Sequence, residues 1–215
     1  MISKSVTIGA IAVLLGLSAS SAAMAQSPSD WTGFYVGIVG GAAVGSSNIL
    51  ANDEDDFRGG GGDGFSASAV AGVNWQGNDN LVLGLEAEIS ALTLGYHGFH
   101  NGYDWDYVAA NYSGSISARA GILLTPSSLL YAKGGVGMVN YVLDDWNGTP
   151  TIVEGPTAVF TAGFGLDQQI SENVILRGEM AFNTTLDPVS ADYSGFIYAF
   201  EPSFAQLKVG ALFAF

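Results

Sequence analysis

The sequence predicts an all-β fold: an eight-stranded antiparallel up-and-down barrel that spans a membrane. Three observations point there. Segments with a two-residue alternation recur along the chain, one face apolar and the other small or charged. The connections between these segments alternate long and short. Beyond the first 25 residues, no apolar run is long and glycine-free enough for a spanning helix, which needs roughly 20 residues. Residence in lipid must then come from strands, and closure into a barrel gives every backbone N–H and C=O a partner.

Residues 1–25 read as a secretory signal: Lys4 is the positive region, 6–17 the apolar stretch, and Ala23-Met24-Ala25 the cleavage motif. Residues 26–215 then form a single barrel domain. The first strand, 32–45, sets Phe34, Val36, Ile38, Ala42 and Val44 against Tyr35, Val39 and the glycines at 33, 37 and 41. The second, 65–76, turns Phe65, Ala67, Ala69, Ala71, Val73 and Trp75 outward. Gly77-Asn78-Asp79 is a short turn. The third, 80–95, aligns Leu81, Leu83, Leu85, Ala87 and Ile89 and sends Glu86 and Glu88 to the opposite side.

The fourth, 109–123, places Tyr112, Ile116, Ala118, Ala120 and Ile122 opposite Ser113, Ser115, Ser117 and Arg119. The fifth, 129–142, carries Ala132, Val136 and Met138 on one face and Tyr131 and Lys133 on the other. The sixth, 157–169, alternates Phe160, Phe164 and Leu166 with Thr161, Asp167 and Gln169. Ser171-Glu172-Asn173 turns the chain into the seventh, 174–184, with Val174, Leu176, Met180 and Phe182 against Arg177, Glu179, Ala181 and Asn183. The last, 204–215, puts Leu207, Val209, Ala211, Phe213 and Phe215 opposite Gln206 and Lys208. Loops are expected over 48–62, 97–108, 143–156 and 185–203.

The charges decide between a membrane barrel and a soluble one with an apolar interior. Glu86, Glu88, Arg119, Lys133, Asp167, Arg177, Glu179 and Lys208 all fall on the face opposite the apolar one. A charge on the lipid face would cost about 2–4 kcal/mol at the bilayer midplane. An eight-stranded interior is narrow enough for side chains to fill. The eight charges, four of each sign, are therefore expected to form a lumen ion-pair network. Strand adjacency suggests Glu86 and Glu88 with Arg119, Lys133 with Asp167, and Arg177 and Glu179 with Lys208. A charge-plugged lumen follows, with a small diffusion porin as an alternative.

Other features carry less chemistry. With Lys4 removed, the six basic residues become five against 20 acidic ones, a balance of −15 that argues against nucleic-acid binding. There is no cysteine, hence no disulfide, thiol chemistry or lipidated cysteine. Most acids lie on the long connections, including Asp53-Glu54-Asp55-Asp56, with Arg58 as their one base. Such acidic loops are suited to divalent cations that bridge to lipopolysaccharide phosphates, although the cluster lacks the ligand order of a calcium loop. His97 and His100 are the only histidines and make a candidate ligand loop for haemin or another small ligand, without a defined metal geometry. Trp31, Trp75, Tyr96, Tyr112, Tyr141, Phe182 and Phe204 read as interfacial girdles. No nucleophile–base arrangement suggests catalysis, and neither a metal nor a cofactor is expected.

Several stretches resemble a family of small Gram-negative outer-membrane barrels, OmpA-like or opacity-like, that includes major surface antigens and haemin-binding proteins. Trp31-Thr32-Gly33-Phe34-Tyr35-Val36-Gly37 is similar to its opening strand, and Leu83-Gly84-Leu85-Glu86-Ala87-Glu88-Ile89 to its third. Leu130-Tyr131-Ala132-Lys133-Gly134-Gly135-Val136 matches the fifth. The resemblance implies a non-enzymatic structural component and surface antigen of the cell outer membrane, with outer-membrane lipid and lipopolysaccharide around it. It also implies that the closing strand, through Phe213 and Phe215, is read by the barrel-assembly machinery. A haemin or small-ligand receptor acting through the loops is the alternative.

Overall fold

The computed structural model describes residues 30–51, 60–77, 80–100, 103–144, 150–151, 156–193 and 196–215. Residues 1–25, expected to be a secretory signal, the cluster Asp53-Glu54-Asp55-Asp56, and Arg58 lie outside them. Among the described residues the barrel is built from β1 (Gly33–Ala51), β2 (Gly61–Gln76), β3 (Leu81–His100), β4 (Tyr103–Thr125) and β5 (Ser128–Asp144). It continues through β7 (Pro156–Gln169), β8 (Val174–Thr185) and β10 (Phe196–Ala214). Two short strands lie at the long-connection end: β6 (Pro150–Thr151) pairs with β5, and β9 (Val189–Tyr193) with β10. Neighbours are antiparallel throughout. The cylinder closes where β1 meets β10, in a register from Tyr35 opposite Ala214 to Ala51 opposite Tyr198.

The alternation sets the faces as expected. Phe34, Ile38, Phe65, Ile89, Ile116, Val136, Phe164 and Val209 all point out, forming an apolar belt around the wall. On the same strands Tyr35, Glu86, Arg119, Lys133, Asp167 and Lys208 are buried inside. The short turns converge at one end. Gly77 N–H donates to the Leu81 carbonyl, and Asn80 takes a φ of +59°, a left-handed conformation that asparagine tolerates.

Glycines on the inner face make room for tyrosines on neighbouring strands. A Cβ at Gly72 would lie 2.3 Å from the Tyr35 hydroxyl, and one at Gly165 would lie 2.5 Å from the Tyr131 hydroxyl. Gly165→Val should therefore expel the Tyr131 ring from its seat. The expected loss is about 1–3 kcal/mol for overpacking, read as a lower urea midpoint in lipid vesicles. An unchanged midpoint would mean that the ring has another place to go.

Three expectations need correction. The barrel strands are longer than the segments the alternation marked, up to 23 residues in β4. At about 3.3 Å per residue and a tilt near 40°, such a strand rises roughly 55–60 Å, about twice the ~25 Å apolar band. Segments 97–108 and 196–203, expected as loop, are instead mostly strand, so His97 and His100 sit on the β3 backbone; their side chains are outside the described part. Alternation fades there because a wall raised above the bilayer meets water on its outer face.

The girdle reading also fails for four aromatics. Trp31, Tyr96, Tyr141 and Phe204 are inside the barrel, each no more than 6% exposed, whereas Trp75, Tyr112 and Phe182 do face outward. Their parity explains it: Tyr96 continues the even-numbered series of Glu86 and Glu88. A bulge between Ala110 and Tyr112 reverses the parity of β4, turning Ala110 inward. The third correction, to the ion pairs, belongs to the lumen.

Candidate functional site: a layered lumen

The barrel interior is stacked in layers. At the short-turn end lies an apolar floor of Trp31, Tyr35, Val39, Val70, Val82, Leu129, Ile175 and Leu212. Trp31, just before β1, is drawn across this mouth: its indole Nε1 donates to the Pro126 carbonyl at 3.0 Å, and its backbone N–H to Gln76 Oε1 at 2.9 Å. Beside it, Asp30 accepts the Thr32 N–H at 2.8 Å, which holds its carboxyl below the usual range.

Above the floor sits the ionic layer, where the structure brings all eight lumen charges together. Arg177 grips Asp167 with two bonds, Nε to Oδ1 at 2.8 Å and Nη2 to Oδ2 at 2.9 Å, and its Nη1 reaches Glu86. Arg119 donates to Asp167 Oδ2 at 2.8 Å and to the Tyr35 hydroxyl at 3.0 Å. Lys133 reaches Glu86 at 2.9 Å, Glu88 at 3.2 Å and Glu179 at 2.8 Å. Lys208 pairs with Glu88 at 2.6 Å and Glu179 at 2.9 Å.

Two of the pairings that strand adjacency suggested form, Arg119 with Glu86 at 3.6 Å and Lys208 with Glu179 at 2.9 Å, but the third does not. Lys133 is turned away from Asp167 toward three glutamates, and Asp167 is held by the two arginines. Arg119 stands directly opposite Lys133 in the β4–β5 register, two like charges side by side. Both reach Glu86, on different oxygens, while of the two only Arg119 takes Asp167 and only Lys133 takes Glu88 and Glu179. Pairs such as Lys208–Glu88 and Arg177–Glu86 span the lumen because closure brings distant strands within reach of long side chains.

Two tyrosines that the charge pattern missed complete the layer. Tyr35 donates to Glu86 Oε2 at 2.7 Å and Tyr131 to Glu179 Oε2 at 2.6 Å. The Arg119 guanidinium lies 3.8 Å from the Tyr131 ring centre, a cation–π contact. Inward parity was the available signal for both. Burying so many charges is costly unless each is paired and hydrogen-bonded, and here every carboxylate faces at least two cationic groups.

Next comes a polar layer of hydroxyl and amide side chains, among them Ser68, Ser90, Thr161, Asn183 and Gln206. Beyond it lies an apolar cap of Leu92, Leu94, Tyr96, Val139, Tyr141, Val159, Phe200 and Phe204. At the opposite end, Phe213 and Phe215 are exposed, their ring centres 5.1 Å apart and edge-on at 72°. The Phe215 N–H donates to the Phe34 carbonyl at 2.9 Å, so the last residue is stitched to the first strand.

No family model matches the chain. It is similar to the 31 kDa outer-membrane immunogenic proteins of Brucella melitensis and Brucella suis, each 26% identical over 242 residues, covering 99% of this chain and 100% of the relative. Among solved structures it resembles the outer membrane protein OprG of Pseudomonas aeruginosa, with a TM-score of 0.56 and 11% identity, over 88% of this chain and 99% of that one. The chain, with its apolar belt and closed cylinder, is a small eight-stranded β-barrel of the cell outer membrane.

Proposed function

We propose that this outer-membrane barrel is a non-enzymatic wall component and surface antigen whose lumen is closed to solutes. One observation carries the reading: the mutually paired ionic layer lies between an apolar floor and an apolar cap. A solute would have to displace all three, and an ion entering the floor or cap would lose its hydration without gaining a partner. The name of the Brucella relatives, immunogenic proteins of the outer membrane, supports the antigen role. The acid-rich long connections suit contact with lipopolysaccharide through divalent cations. Planar-bilayer recordings test the closure: the refolded protein should give no steady single-channel steps, and porin-sized steps would make diffusion its function instead.

The closing strand is the element that the assembly machinery would read, since Phe213 and Phe215 stand exposed at its end. Phe215→Asp should be exported normally yet fail to accumulate in the outer membrane. Cell fractionation decides, and wild-type amounts of the variant there would remove Phe215 from that role.

A further inference from the structure

The polar layer lines a chamber between the ionic layer and the apolar cap. Its water-accessible volume is about 10 Å³, which is room for about one water molecule. Gln206 lines it and is 5% exposed. Its Oε1 accepts from Asn183 Nδ2 at 3.3 Å, but its Nε2 has no hydrogen-bond partner among the described residues. A buried N–H without an acceptor costs about 1–3 kcal/mol, so an unpaired amide on a residue that lines a cavity of this size calls for an occupant.

The surroundings select what that occupant is. Hydroxyls of Ser113, Ser115 and Thr161 share the wall, and each can donate or accept. The charged groups at the base are Glu88 and Lys208, already joined at 2.6 Å. An anion would meet the Glu88 carboxylate, and a cation the Lys208 ammonium, with no unmatched charge to hold either. The amide needs an acceptor and the carboxylate welcomes a donor. A neutral molecule that does both, and is small enough, is water.

We propose that the chamber is a resident water site. One water molecule accepts the Gln206 Nε2–H and returns its own hydrogens to acceptors among the chamber hydroxyls and Glu88. The ionic layer below and the apolar cap above isolate it, so it exchanges only when the barrel opens locally. This reading goes beyond the proposal of a closed lumen and stands or falls separately: a barrel that conducts could still hold this water, and a closed one could leave the chamber empty.

High-resolution crystallography of the refolded protein, with oxygen-17 relaxation dispersion in detergent micelles, provides the test. The expected result is one electron-density peak within hydrogen-bond reach of Gln206 Nε2, and a long-lived water that disappears in Gln206→Met. If that variant does not fold, Ser113→Val, which fills the chamber with methyl groups, should remove the same single water. An empty chamber in the unmutated protein would overturn the proposal. So would an ion in its place, or an unchanged count of long-lived waters in a folded variant.

Discussion

Replacing Arg177 with leucine is expected to destabilise the barrel by about 3–5 kcal/mol, the cost of removing one partner from a buried set of paired charges. Arg177 is 3% exposed and makes two bonds to Asp167 and one to Glu86. The leucine would fill part of the space, but nothing would replace those bonds. Urea unfolding in lipid vesicles measures the loss, and a change below about 1 kcal/mol would show that the layer is held by packing and not by pairing. Arg119→Ala should cost less, because Arg119 makes one hydrogen bond to Asp167 where Arg177 makes two and adds a third to Glu86. Neither variant should conduct, because the floor around Trp31 and the cap around Tyr96 and Phe204 do not depend on a guanidinium. Steady current through Arg177→Leu would assign the seal to the charges alone.

The second large effect concerns the outer face. Ile116 is 66% exposed and lies midway between Tyr112 and Ile122 in the belt of β4. Ile116→Arg should cost about 2–4 kcal/mol, the penalty for a cation near the bilayer midplane. Asp187→Arg, at an exposed position between β8 and β9, supplies the control and should leave the midpoint unchanged. Equal stability of the two variants in vesicles would mean that Ile116 does not face lipid.

Which face each residue takes was legible residue by residue, because in a strand that choice is local: successive side chains alternate whatever the strand pairs with. Glu86 and Glu88 could be assigned inward, and Leu85 and Ile89 outward, without knowing a neighbour. The same parity places Trp31, Tyr96 and Phe204 inside, although aromatics near strand ends otherwise suggest girdles. It breaks only at a bulge, as at Asn111, where one extra residue reverses the count and no sequence signal announces it.

The sequence by itself thus determined the number of spanning strands, the lipid-facing belt and the set of eight charges that had to share an interior. Strand adjacency already suggested Arg119 with Glu86 and Lys208 with Glu179, and the tertiary structure alone decided the pairs that cross the lumen. Pairing across the lumen, Lys208 with Glu88 or Arg177 with Glu86, depends on barrel diameter, tilt and register, all of them non-local. It also decided that apolar layers close both ends of the ionic one. Side chains far apart in the chain, such as Val82 and Leu212 at one end and Leu94 and Phe200 at the other, reach one level only after the wall has curved and closed on itself.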